Sequence, residues 1–228
     1  MARVKPKTGK VGASKILIVD DQPLLRRGLA ALIDSKPDLS VNGQAATRAA
    51  ALEALETSPP NLVTLDIALK GTDGLDLIKD IRARFPMIPI LVISMHDELV
   101  YAERAFRAGA QGFITKNEKE ESVLGAIRQV LKGEKYISPR MVNWFAEQYL
   151  EGRVKKQGSP VGALSDRELE VFRLLGEHKT RREIGRLLNL SVKTVESYRA
   201  NIKEKLGLTT GSQLIQRASE WVASGRRE

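Results

Sequence analysis

The chain has 228 residues, 42% of them apolar, which suits one or two domains with ordinary cores, two being favoured. It contains no cysteine, which excludes disulfides, thiol nucleophiles and thiolate-bound metals and suits a reducing cytoplasmic setting. Its 37 basic and 28 acidic residues leave a formal net charge of +9, and no apolar run approaches the roughly 18 residues of a membrane span.

Residues 1–14 are basic (Arg3, Lys5, Lys7, Lys10) with no apolar segment behind the charges, and read as a disordered tail rather than a signal peptide. Residues 16–19, Ile-Leu-Ile-Val, predict a strand that runs into Asp20-Asp21. Residues 23–35 follow with Leu24, Leu25, Leu29, Leu32 and Ile33 at helical spacing behind Pro23, which suits a first helical turn. Residues 39–45 are a weaker strand, and 47–56 an Ala/Leu/Glu-rich helix ended by Pro59-Pro60. The run Leu62-Val63-Thr64-Leu65-Asp66 is a third strand. Leu75, Leu77, Ile78 and Ile81 mark a helix over 73–85. A strand at 88–94, a helix at 97–108 closed by Gly109, a strand at 112–115 and a helix at 118–131 complete the series. Five βα units predict a parallel sheet covered on both faces, a doubly wound α/β sandwich.

The rest of the chain changes character. Residues 138–150 predict a helix with Met141, Trp144, Phe145 and Tyr149 on one face, and 151–163, rich in glycine and charge, read as a flexible tether. Ser165…Glu168 forms a capping box that opens a helix to about Gly176. Thr180 caps a second helix with Ile184, Leu187 and Leu188. After the short turn at Asn189-Leu190, Ser191 caps a third helix whose Val195, Ile202 and Leu206 form one buried stripe. A fourth spans 210–223. Two helices joined by so short a turn fit a helix-turn-helix. The domains expected are therefore a tail at 1–14, an α/β domain at 15–135, a linker helix and tether at 136–163, and a small all-α domain at 164–228. Charge follows this division: residues 16–150 carry 16 basic and 18 acidic groups, whereas 151–228 carry 16 and 10. A near-neutral body joined to a basic end suggests nucleic-acid binding.

The chemistry gathers at the strand ends. Asp20, Asp21, Asp66, Ser94 and Lys116 each close a strand pattern, so a parallel sheet would bring them to one edge, where open α/β folds place their sites. Clustered carboxylates suit Mg²⁺. With that charge offset, Asp66 can act as a nucleophile towards a phosphoryl group. Lys116 would pair with the phosphoryl oxygens, and Ser94 would donate its hydroxyl to them.

On Asp20-Asp21, Asp66, Gly71, Gly74, Ser94 and Lys116, residues 15–135 resemble a response-regulator receiver domain. The resemblance implies a flavodoxin-like (βα)₅ fold and phosphoryl transfer from a histidine kinase to Asp66. It implies Mg²⁺ held by Asp20, Asp21, Asp66 and the carbonyl of Ala68, with Asp20 assisting through water. It also implies a switch role for Ser94 and Phe113. Two positions depart from the family pattern, Lys70 and Asn117, each standing where proline is common; a more mobile loop after Asp66 is expected from the first. Ala68 and His96 occupy positions that resemble those controlling water access to the acyl phosphate. Small Ala68 is expected to leave it open to hydrolysis, and His96 has an ordinary loop role as its alternative.

Residues 164–224 resemble the LuxR-type DNA-binding domain, on Leu164-Ser165…Arg167-Glu168, Glu183-Ile184, Leu190 to Glu196 and Lys205-Leu206-Gly207. The two halves together resemble the NarL/FixJ class of response regulators. The third helix would then enter the major groove, with Lys193, Thr194, Tyr198 and Lys203 on phosphates and Glu196 and Ser197 on base edges. Arg199 could reach either or cover the interior, and Tyr198 stands where histidine is common. The expected protein is a phosphorylation-switched, cytoplasmic transcription regulator, not an enzyme, that binds promoter DNA and dimerises when phosphorylated. Two alternatives are a constitutive DNA binder with the receiver as scaffold, and an aspartyl-phosphate hydrolase. The latter wants an Asp-x-Asp pattern that Asp20-Asp21-Gln22 lacks.

Overall fold

A computed structural model describes residues 12–69, 74–150 and 160–223. Five parallel strands, β1 (Ser14–Val19), β2 (Leu39–Ala45), β3 (Leu62–Leu65), β4 (Ile90–Ser94) and β5 (Gly112–Thr115), lie in the order β2-β1-β3-β4-β5. This is the doubly wound order with its switch point between β1 and β3. The helices α1 (Pro23–Asp34), α2 (Arg48–Thr57), α3 (Gly74–Arg84), α4 (Glu98–Ala108) and α5 (Glu120–Leu131) alternate with the strands.

Strand alternation decides which helices cover which face. Ile16, Ile18, Leu91, Ile93 and Ile114 pack with Ala30 and Ile33 of α1 and with Val123, Leu124 and Ile127 of α5. Leu17, Val19, Val63, Leu65, Val92 and Phe113 face the other way, onto Leu55 of α2, Ile78 and Ile81 of α3 and Ala102 and Ala105 of α4. The helix ends follow local chemistry. Thr47 caps α2 by accepting from the Ala50 N–H, Asp97 caps α4 by accepting from the Leu99 N–H, and Gly109 closes α4 at φ +112°, a conformation that favours glycine.

Strand β1 begins two residues earlier than the apolar run suggests, because Ser14 pairs with Leu39 of β2. The expected tail therefore ends before Ser14, and its residues 1–11 lie outside the described residues. The linker helix α6 (Pro139–Leu150) lies against α4, with Met141 buried. Of the expected tether, residues 151–159 lie outside the described part, but Pro160–Ala163 form a 3₁₀ turn that buries Val161. The last part of the tether thus belongs to the second core.

That core is built from α7 (Asp166–Gly176), α8 (Arg181–Leu188), α9 (Val192–Lys205) and α10 (Gly211–Ala223). Leu169, Phe172, Ile184, Val195, Ile202, Leu214 and Trp221 are among its buried apolar side chains. Phe172 and Trp221 meet with ring centroids 5.5 Å apart. The capping boxes at Ser165/Glu168 and Thr180/Glu183 are both formed, and Asn189 turns the chain between α8 and α9 at φ 54°. Apolar packing continues from the α2–α4 face of the first domain into this second domain.

Candidate functional site

The parallel register sets Val19 beside Leu65 and Ser94 beside Thr115, so the residues that follow these positions emerge together. The ladder extends one residue further: Asp20 N–H donates to Ala45 O at 3.0 Å, Asp66 N–H to Val19 O at 2.9 Å and Lys116 N–H to Ser94 O at 2.9 Å. Backbone pairing therefore aims these side chains into one buried corner. Asp66, Ser94 and Asp20 are 2%, 0% and 4% exposed.

Two groups serve the two oxygens of Asp66. Ser94 Oγ donates to Oδ1 at 2.8 Å, and Lys116 Nζ donates to Oδ2 at 2.5 Å. Lys116 also reaches Asp20 Oδ2 at 2.7 Å. Burial opposes the Lys116 charge, but the attraction of Asp66 and the hydrogen bonds to Asp20 and Asp66 outweigh it and raise its pKa. Ligand atoms of Asp20, Asp21 and Asp66 all lie within 4.8 Å of one another. A cluster of hard oxygens of this kind fits Mg²⁺.

The approach loops are held as well. Ala68 N–H donates to Asp66 Oδ1 at 3.0 Å, and Gln22 N–H to Asp20 Oδ1 at 2.7 Å. Gly74 N–H returns to Ile67 O at 3.2 Å, so closely that a Cβ on Gly74 would stand 2.3 Å from Ile67 Cα. Lys70 and Gly71 lie outside the described residues. Sequence reasoning missed Arg26, whose Nη1 donates to the Asp20 carbonyl at 2.5 Å. Nothing in the helical pattern distinguishes it from its solvent-facing neighbour Arg27.

Phe113 is completely buried. His96 is 8% exposed and stacks on Tyr101 with centroids 4.6 Å apart.

In the second domain α9 presents Lys193 and Ser197 to solvent, with Thr194, Glu196 and Lys203 half-buried. The Thr194 hydroxyl is shared with Ser191 at 2.7 Å. Tyr198 packs against the apolar core. Arg199 is 18% exposed and stands 3.8 Å from Glu196. Arg181, at the start of α8, donates to Glu196 Oε1 at 2.9 Å. Sequence spacing alone does not disclose that bond, because the two residues lie on different helices.

Two family models match the chain. "Response regulator receiver domain" covers residues 16–128, and "Bacterial regulatory proteins, luxR family" covers residues 162–218. The Fimbriae Z protein of Salmonella typhimurium is 34% identical over 205 residues, 90% of this chain and 96% of that protein. The Oxygen regulatory protein NreC of Staphylococcus carnosus is 31% identical over 208 residues, again 90% and 96%. Among solved structures, RcsB of Salmonella enterica serovar Typhimurium, bound to a promoter in the presence of the phosphomimetic BeF₃⁻, superposes with a TM-score of 0.63. It is 25% identical over 91% of this chain and 98% of its own. A LuxR-family two-component response regulator from an Aurantimonas species is 31% identical with a TM-score of 0.56, covering 63% of this chain and 99% of its own.

Proposed function

This chain belongs to the response regulators that join a receiver domain to a LuxR-family DNA-binding domain, and from that membership we propose that Asp66 is the phosphoacceptor through which a histidine kinase controls it. The family consists of DNA-binding transcription regulators rather than typical enzymes, and phosphorylation-switched DNA binding fits both halves. The observation that carries the assignment of Asp66 is the placement of Ser94 on one of its oxygens and Lys116 on the other.

A carboxylate oxygen of Asp66 attacks phosphorus in line. The O–P bond forms as the P–N bond to the kinase histidine breaks, and the electron pair leaves on the imidazole nitrogen. Asp20, Asp21, Asp66 and the Ala68 carbonyl would hold Mg²⁺, which when bound offsets the charge of the incoming group. Lys116 exchanges its bonds to Asp66 and Asp20 for the phosphoryl oxygens. Ser94 turns its hydroxyl from the Asp66 carboxylate to the same group, and Phe113 readjusts within the core.

We assign the receiver to residues 15–135, extended to Ser14 by β1, and the DNA-binding domain to 164–228, extended to Pro160 by the turn that buries Val161, with the segment between them as the linker. Recognition helix α9 places Lys193, Thr194 and Lys203 on phosphates, with Glu196 and Ser197 towards base edges. Tyr198 and Arg199, both half-buried, are the further candidates for DNA contact. RcsB binds DNA as dimers, and a phosphorylated homodimer of this chain would bind half-sites about one DNA turn apart. Promoter DNA and a kinase partner would put the protein in the cytoplasm.

The test adds acetyl phosphate and Mg²⁺ to the parent and to Asp66→Ala, with intact mass, DNA affinity and oligomeric state measured on both. A single phosphoryl mass gain confined to the parent, with tighter DNA binding, is expected. No gain in the parent refutes the assignment of Asp66. A gain without change in affinity or oligomeric state favours a receiver that serves only as a scaffold.

A further inference from the structure

Resting on the reading of Glu196 as a base-edge contact, we propose that Arg181 is a specificity-determining residue of the DNA-binding domain: it holds one oxygen of the Glu196 carboxylate and so aims the other at a cytosine amino group in the major groove.

The two residues lie on different helices, and the packing of those helices fixes their separation. Thr180 and Glu183 close the capping box that starts α8, so the backbone at Arg181 is held in place. At the far end of α8 Asn189 turns the chain at φ 54°, and Leu190 N–H donates to Gly185 O at 2.8 Å. The turn is so tight that a Cβ on Gly185 would stand 2.8 Å from the Leu190 carbonyl oxygen. Ile184 of α8 and Val195 of α9 are completely buried in one core. The start of α8 and the first turns of α9 are therefore held in one relative position.

That position puts both nearby cations on one oxygen. Arg181 Nη1 donates to Glu196 Oε1 at 2.9 Å, and Arg199 Nη1 stands 3.8 Å from the same atom. Oε2 is left for another donor. In the major groove cytosine offers its N4 amino group, from which a carboxylate accepts. Adenine also donates from N6, but its N7 acceptor stands beside that group and repels a carboxylate. A Glu196 held by Oε1 thus favours cytosine.

The pair acts on binding rather than on folding. Its side chains are 57% and 43% exposed, and an ion pair so exposed contributes little to stability. Glu196 is the only acidic residue between Val192 and Lys203, so it is the one group on this stretch of α9 that the phosphate backbone repels. Arg181 offsets that charge where it stands, and the pair strengthens as DNA removes water from around it. Lys179 and Arg182, both exposed, flank Arg181 and remain for phosphates.

The probe is a pool of random-sequence DNA duplexes, selected with the full chain, with and without BeF₃⁻ and Mg²⁺, and sequenced. Single-base variants of the enriched duplex then give affinities at several salt concentrations. The parent is compared with Arg181→Ala, Arg181→Lys, Glu196→Ala and the double variant Arg181→Ala/Glu196→Ala. The parent is expected to select cytosine at one position of each half-site. Glu196→Ala and Arg181→Ala should each reduce that preference by roughly tenfold, within the range of one base contact. Arg181→Ala should also weaken binding to every sequence, because it leaves an unpaired carboxylate facing phosphates. The double variant should regain that general affinity without regaining the preference. Arg181→Lys keeps the charge but loses the planar fork, so it should restore general affinity more than preference. A cytosine preference of parent strength in Arg181→Ala overturns the positioning role and leaves Glu196 as reader. An unchanged preference in Glu196→Ala, or no enrichment by the parent under either condition, overturns the reading of Glu196 and the proposal with it.

Discussion

Lys116 and Asp66, 50 residues apart in the chain, meet at 2.5 Å on the carboxylate oxygen that Ser94 leaves open. The lysine is the counter-charge of a buried acidic cluster. Replacing it with methionine leaves Asp20 and Asp66 without that partner. Breaking a buried pair from one side costs on the order of 3 kcal/mol. Urea unfolding of Lys116→Met without Mg²⁺ should show a loss of this size, and added Mg²⁺ should recover part of it. A variant as stable as the parent without metal counts against the role. The pH dependence has a definite sign. The folded-state pKa is raised, so the stabilisation is complete below the ordinary value of 10.5 and is lost as pH climbs through the raised one.

Gly74→Ala should disturb the acceptor loop. The added methyl would stand 2.3 Å from Ile67 Cα, so the backbone after Asp66 must move. Overpacking of this kind costs about 1–3 kcal/mol. Thermal unfolding and the rate of acetyl-phosphate labelling should both fall, and labelling at the parent rate would show that the close return of the loop is dispensable.

Ala68→Arg should prolong the phosphorylated state. Ala68 lies beside the acceptor, with its N–H on Asp66 Oδ1 at 3.0 Å, and a long cationic side chain there would crowd the path of attacking water. Comparing phosphoryl half-lives of the two proteins checks this, and unchanged decay sinks the idea.

Glu168 ties the DNA-binding domain together. Burial opposes its charge, but hydrogen bonds from Lys205 and from the Ser165 backbone and hydroxyl prevail and lower its pKa. Its contribution is therefore present above the ordinary carboxyl value of 4.5 and is lost as pH falls through the lowered one. Glu168→Ala removes half of the capping box and should destabilise the domain by about 1–2 kcal/mol. Its unfolding midpoint should also depend less on pH on the acid side than that of the parent.

Two substitutions on α9 should separate positioning from reading. Lys193→Ala should weaken binding evenly across DNA sequences and reduce the salt slope by about 1. Glu196→Ala should relax discrimination at one base pair, worth about 1–3 kcal/mol. Arg181→Ala frees Glu196 from its 2.9 Å partner and should alter that same position. Affinity measured over a set of single-base variants at several salt concentrations distinguishes the three.

Much of this architecture is legible in the sequence. The switch from strand to helix periodicity located all five βα units, and the capping residues Ser165, Thr180 and Ser191 perform the local bonds expected of them. The edges were less legible. Ser14 joins β1 because Leu39 pairs with it, and Val161 leaves the expected tether because the second core has room for it. Neither fact has a signature within a few residues of itself. Arg26 and Arg199 illustrate the same limit, since an arginine one turn along a helix looks alike in sequence whether it faces water, a carbonyl or a neighbouring helix.

The sequence by itself determined which residues close the strands, where the helices start, and hence that Asp20, Asp66, Ser94 and Lys116 share one sheet edge. These follow from short-range rules of backbone pairing and capping, which act within a strand or a turn. Only the tertiary structure decided which oxygen of Asp66 each partner takes, that Glu196 is held by Arg181, and that Arg104 meets Asp166 across the domain seam. Periodicity marks the apolar face of a helix but not the surface it will meet. Side-chain charges 15 or 62 residues apart find each other only when the packed elements bring them within hydrogen-bond reach.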